Sequence, residues 1–238
     1  MADMEDQRKA ASRPQHVPPY AEACLRALAE RGFGEKLSLG GGLGLLHYLD
    51  YRPTYDVDAW WDTDTTPEER DAIIRVIEDT LRSWGDVDVR AWGEVTSLEL
   101  SEAGEKVFSF QIADRSAQLE PSVSAGWLDF KLDSLPDLIA SKMLALVERG
   151  APRDFRDIHA ACSAGLVTER ECWKLWAQRQ RLSGSDTNWT RARLAVETHL
   201  KRLALHRPLE RISDPQQRSE AARVRHWYRE VFLLALPA

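Results

Sequence analysis

Long apolar runs are missing from this sequence. No stretch of about 18 apolar residues occurs, so no membrane-spanning helix is expected. The opening, MADMEDQRKAASRPQHVPP, is polar, carries both charge signs and has no apolar signal-peptide core. A cytoplasmic protein with no membrane partner is the expectation. Cysteine is scarce. Cys24, Cys162 and Cys172 are scattered and odd in number, which points to neither a disulfide framework nor a zinc cluster. Reduced thiols, mostly on helices, are expected. The six histidines lack ligand spacing, and neither a Ser-His-Asp signature nor a Gly-x-x-x-x-Gly-Lys phosphate loop is present. Repeats and low-complexity tracts are absent too. What remains is ordinary for a globular chain: 238 residues, 43% apolar and 29% charged. That suffices for one large domain or two small ones.

Charge is unevenly spread. Residues 1–169 hold 18 Lys and Arg against 31 Asp and Glu, whereas residues 170–229 hold 14 against 6. A basic helical face in the second part has two readings, a solvated surface or attraction of a polyanion such as RNA.

Periodicity orders the elements. Residues 1–17 read as a flexible tail. PPYAEACLRALAERG reads as a helix with Gly32 as its stop, KLSL as a short strand, GLGLLHYLD as a helix and TYDVDAWW as a half-buried strand. TPEERDAIIRVIEDTLRSWG is a helix with Thr66 as N-cap and Pro67 in its first turn. DVDVRAW, SLELSE, KVFSFQIA and LDFKL read as strands. SLPDLIASKMLALVERG, capped near Ser134 and closed by Gly150, and PRDFRDIHAACSAG, closed by Gly165, read as helices. Only helices follow from residue 168. The division is a tail over 1–17, an α/β core over 18–133 and a helical region over 134–238.

In an extended strand alternate residues share a face. Asp56 and Asp58 therefore project side by side while Val57 and Ala59 face the core. Adjacent carboxylates repel unless a cation joins them, and their hard oxygens suit Mg²⁺ or Mn²⁺. Gly40–Gly42 precede them by fewer than 20 residues. A strand–glycine–helix turn brings backbone N–H groups close to a phosphate. The plain alternatives are two exposed aspartates and a tight turn.

The pattern from Gly41 to Asp58, with Gly42, Arg52, Thr54 and Asp56 between, resembles the AbiEii-type nucleotidyltransferases, a toxin–antitoxin toxin family of the DNA polymerase β-like superfamily. Leu43 stands where that family usually has threonine after the glycines. DLIASKMLALVERGAPRDFRDI resembles the family's second motif and supplies Lys142, Arg149, Arg153, Asp154 and Asp157. The resemblance spans about 37–165, and residues 168–238 carry no recognised motif.

The resemblance implies an α+β, polymerase β-like fold, with a small mixed sheet flanked by helices and an all-α C-terminal region. It also implies transfer of a nucleoside monophosphate from an NTP to a hydroxyl acceptor, RNA or tRNA, by a toxin with a cognate antitoxin. Asp56 and Asp58 would hold Mg²⁺ or Mn²⁺. Gly41, Gly42, Arg52, Thr54, Arg149 and Arg153 would serve the NTP. Lys142 would meet the triphosphate, and Asp157 would orient it, pair with Arg153 or act as base. Relatives usually add a third carboxylate from a later strand. Asp114 is the first choice here, with Asp88, Glu99 and Asp129 as alternatives. A protein that keeps the fold and binds nucleotide or nucleic acid without turnover is the other reading.

Single aromatic and imidazole side chains add less. One of Trp60 and Trp61 is expected in the core and the other towards the cleft. His47 either touches a phosphate or packs in the helix after the glycines, and His159 points away from Asp157.

Overall fold

Alternation makes DVDAWW a strand. Val57, Ala59 and Trp61 are buried, while Asp56, Asp58 and Trp60 lie part-exposed on the opposite face. The computed structural model describes residues 10–236. It forms two compact units, which meet in sequence at Leu138 and Ile139. Of the expected tail, residues 1–9 lie outside the described residues. Ser12 N donates to His47 O at 2.8 Å, and Pro14 is buried.

The first unit runs α1 (Pro19–Glu30), β1 (Leu37–Leu39), α2 (Gly41–Leu46), β2 (Asp56–Trp61), α3 (Pro67–Arg82), β3 (Asp86–Trp92), β4 (Val95–Glu102), β5 (Glu105–Ala113), β6 (Val123–Ser124) and β7 (Lys131–Leu132). The strands form one mixed sheet in the order β3-β4-β5-β2-β1-β7-β6. β2 pairs parallel with β5 and antiparallel with β1, so the aspartate strand sits centrally. One sheet face builds the core. Val57 and Ala59 join Leu98, Leu100, Phe110 and Ile112 there, beneath Leu25 and Leu28 of α1 and Ile73, Ile77 and Leu81 of α3. α3 starts as expected. Thr66 accepts from Glu69 N at 3.3 Å while Glu69 accepts from Thr66 N at 2.9 Å, a reciprocal cap.

Two expectations change in detail. The helix after the glycines is shorter than GLGLLHYLD. The His47 ring bonds the Leu43 carbonyl at 2.9 Å, and His47 N turns to Gly44 O at 3.2 Å, so a side chain takes the acceptor the next turn needs. LDFKL is a strand only at Lys131–Leu132, and Phe130 before it is buried in the core.

The second unit takes most of α4 (Leu135–Glu148), followed by α5 (Pro152–Ser163), α6 (Glu169–Leu182), α7 (Trp189–His206) and α8 (Pro215–Glu230). Its aromatic centre holds Phe155, Trp173, Tyr228 and Phe232, all fully buried. Phe155 and Tyr228 meet edge-on at 4.7 Å. Among the described residues no helix is long and apolar enough to cross a membrane.

Candidate active site

The glycine turn and the aspartate strand are built against each other. Gly40 N donates to Asp58 O at 2.8 Å, which lays the turn along β2. Gly41 has φ +58°, a conformation glycine adopts without penalty. A Cβ there would lie 1.9 Å from Asp58 Oδ2, so the carboxylate occupies the space glycine leaves. A Cβ on Gly42 would meet Arg52 Nη2 and Thr54 Oγ1, each at 3.2 Å, and Asp56 Oδ1 at 3.8 Å. Thr54 Oγ1 donates to Asp56 Oδ1 at 2.6 Å. Arg52 Nη1 donates to Pro53 O at 3.0 Å. The six residues Gly41, Gly42, Arg52, Thr54, Asp56 and Asp58 are thus brought together.

The same sheet face holds residues that sequence reasoning missed. Ser38 on β1 is the cross-strand partner of Trp60. Ser38 Oγ donates to Asp133 Oδ1 at 2.8 Å, and Arg115 pairs with both. Burial raises the Asp133 carboxyl above its ordinary value, although Arg115 pulls it down. Trp60 Nε1 and Asp133 Oδ2 are buried without a hydrogen-bond partner among the described residues, and both lie beside Gly40. Asp133 follows a two-residue strand far along the chain from Ser38, and only the parallel β1–β7 pairing unites them. Trp61 is the core tryptophan and Trp60 lies on the aspartate face.

His47 belongs to the core. It is buried, and Nε2 accepts from Trp127 Nε1 at 2.9 Å, which leaves Nδ1–H for Leu43 O. Both ring nitrogens are committed, so neither is left for a phosphate. Burial lowers its pKa. His159 lies edge-on to Trp227 at 5.0 Å.

The third-carboxylate candidates stand elsewhere on the sheet. Asp114, one residue past β5, is held by Arg70 through two bonds at 2.7 and 3.1 Å. The β5 partners of Asp56 and Asp58 are Ser109 and Gln111. Glu99 opposes Ser109 from β4, and Asp88 opposes Glu99 from β3. Strands are ~4.8 Å apart, so these two lie roughly 10 and 14 Å from β2. The backbone of Asp129 packs on Gly34, in the turn before β7.

In the second unit the second motif forms ion pairs on buried carboxylates. Lys142 Nζ meets Asp157 Oδ2 at 2.8 Å, with Lys142 6% exposed and Asp157 wholly buried. Arg149 grips Asp154 through Nε at 2.9 Å and Nη2 at 3.0 Å. Asp154 also accepts from Ala151 N at 3.1 Å, closing the start of α5. Arg153 is exposed in the first turn of that helix. Cys162 and Cys172, scattered in sequence, come to 3.7 Å as free thiols.

Asp56 and Asp58 suit a hard divalent cation held by one or two carboxylates plus waters and substrate phosphates. The seating of the Asp58 carboxylate on Gly41, with Asp56 on the same strand face, fits that use. Among the described residues no three His, Cys, Asp or Glu side chains converge to hold an ion by themselves.

A sequence profile described as the nucleotidyl transferase AbiEii toxin of a type IV toxin–antitoxin system matches residues 23–229. The match includes the basic helices beyond residue 168, where no motif was recognised. A solved structure, an antigenic nucleotidyltransferase-like protein from Paracoccidioides brasiliensis, is similar with TM-score 0.39 and 16% identity, over 86% of this chain and 92% of that one. No curated protein matches.

Proposed function

The chain belongs to the AbiEii nucleotidyl transferase toxin family, and from that premise we propose that it transfers a nucleoside monophosphate from an NTP to a hydroxyl on RNA, with tRNA as the leading acceptor. An antitoxin is the partner that such a toxin implies. One observation carries the reading: Asp58 lies over Gly41, while Asp56 is tied to Thr54 beside Gly42 and Arg52.

Each residue has a part. Asp56 and Asp58 hold Mg²⁺ or Mn²⁺, which supplies charge neutralisation at the phosphates when bound. Thr54 keeps the Asp56 carboxylate in one orientation. Gly41 and Gly42 let the triphosphate approach the backbone. Arg52 faces the negative charge that grows on the leaving pyrophosphate. Lys142 and Arg149 serve phosphate groups, each held by a buried carboxylate. Arg153 adds a further cation for the NTP. Asp157, wholly buried against Lys142, acts as a positioning residue. The basic stretch 170–229 favours a polyanionic acceptor.

The test incubates the protein with Mg²⁺, each α-labelled NTP and total RNA, beside an Asp56→Ala/Asp58→Ala variant. Label on RNA with the wild type alone supports the proposal and identifies the NTP. NTP binding without label on any product favours a nucleotide-binding protein without turnover. Absence of NTP binding removes the site assignment.

A further inference from the structure

The segment joining α7 to α8, RPLERISD, carries a proline that stops one helix and a capping aspartate that starts the next. Asp214 Oδ1 accepts from Gln216 N at 2.7 Å and Gln217 N at 3.1 Å and so restarts the chain as α8. This bend leaves a cavity of 580 Å³, walled by α5, the end of α7, the connecting segment and α8. All of it lies in the second unit. Its apolar lining comes from Phe155, Leu203, Ile212 and Val224.

The charged lining is one-sided. Arg156, Arg207, Arg211 and Arg225 line it with a single carboxylate, Glu220. Arg156 already holds that carboxylate at 2.9 Å. Arg225 is the informative member. It is 6% exposed, and its Nη2 donates to Arg207 O at 2.5 Å. Its Nε is buried without a hydrogen-bond partner among the described residues. Burial and then Arg229 push its pKa down, with Glu210 opposing them. A buried guanidinium N–H without an acceptor is destabilising, and a bound anion that accepts from it offsets that cost.

We propose that this cavity binds the phosphate of a nucleotide at Arg225, with Arg207 and Arg211 at its mouth and the nucleoside against the apolar lining. A guanidinium presents paired donors that match phosphate oxygens. The cavity volume falls within the usual range of about 300–1,000 Å³ for small-ligand sites. A free nucleotide and the terminal nucleotide of an RNA share this chemistry. The site is independent of the aspartate strand and stands whether or not transfer occurs.

Calorimetric titration tests it on the full chain carrying Asp56→Asn and Asp58→Asn, without divalent cation. Adenosine 5′-monophosphate is expected to bind at least tenfold more tightly than adenosine. Arg225→Leu should remove that preference, and Arg211→Glu should reduce it several-fold. Arg211 is exposed, so its variant keeps the test decisive if Arg225→Leu fails to fold. Equal binding of nucleotide and nucleoside would overturn the proposal, as would unchanged nucleotide binding by Arg211→Glu. A 5′-phosphorylated oligoribonucleotide that displaces the nucleotide, where its 5′-hydroxyl form does not, would support an RNA end as the source. Failure of both to displace it would support a free nucleotide.

Discussion

Replacing Asp157 by alanine would leave the Lys142 ammonium buried without the carboxylate that faces it at 2.8 Å. Lys142 is 6% exposed and Asp157 is not exposed at all, so water cannot take over the lost contact. Removing one partner of a buried pair typically costs ~3–5 kcal/mol. That is a large part of the roughly 5–15 kcal/mol that holds a domain together. At ~2–4 °C per kcal/mol for a chain of this size, Tm should fall by roughly 6–20 °C. The exposed pair Arg193–Glu197, at 2.9 Å, is the internal control. Arg193→Ala should cost only about 0.3–0.5 kcal/mol. Urea unfolding followed by tryptophan fluorescence reads both units, the second through buried Trp173 and Trp176. The double variant Lys142→Met/Asp157→Leu should recover most of the loss, because an apolar pair of similar volume carries no unpaired charge. If Asp157→Ala destabilised no more than Arg193→Ala while transfer disappeared, Asp157 would act in the chemistry and the positioning argument would be wrong.

Three further outcomes follow from the geometry. Gly41→Ala places a methyl 1.9 Å from Asp58 Oδ2 at a φ of +58°. Backbone strain should cost ~1–2 kcal/mol, and the displaced carboxylate should lower transfer about 100-fold, read by melting and by labelled-NTP turnover. His47 has its pKa lowered by burial below the ordinary 6.5, so its stabilisation is complete above pH 6.5 and is lost as pH falls towards the folded value. Melting curves between pH 7.5 and 5 should show this loss, reduced in His47→Gln. Asp133 has the opposite sign. Burial raises it above the ordinary 3.8, so its contribution is complete below 3.8 and is lost as pH rises through the folded value. Asp133→Asn should flatten that part of the pH–stability curve, and an unchanged slope would remove the assignment.

Much of this architecture is legible from local pattern. The alternation of DVDAWW sets which side chains are buried, and the Thr66–Glu69 cap starts α3 where sequence places it. Local pattern fails where a distant residue decides. The helix after the glycines ends early because a buried histidine, fixed by Trp127, takes the Leu43 carbonyl. Ser38, Arg115 and Asp133 meet only through the parallel pairing of β1 with β7. Neither the two-residue strand β6 nor the approach of Cys162 to Cys172 has a periodic signal. The glycines and aspartates were readable because their spacing along the chain is itself the constraint.

The carboxylate count on the sheet bears on the chemistry. Two ions in a phosphoryl-transfer site lie ~3.5–4 Å apart, so a shared carboxylate has to stand on β2 or next to it. On β5 the positions next to Asp56 and Asp58 are Ser109 and Gln111, whereas Glu99 is a strand further away and is held by Lys106 at 2.7 Å. Asp114 is committed to Arg70. A transfer that runs on this sheet therefore uses Asp56 and Asp58 without a third carboxylate from β3, β4 or β5. Gln111→Ala should then change kcat by only a few-fold, and Glu99→Gln and Asp114→Asn should leave it unaltered once stability is matched. Asp56→Asn and Asp58→Asn should each lower it by several orders of magnitude. A loss of that size in Glu99→Gln or Asp114→Asn would mean that the sheet rearranges when substrate binds and that the two-carboxylate reading is incorrect.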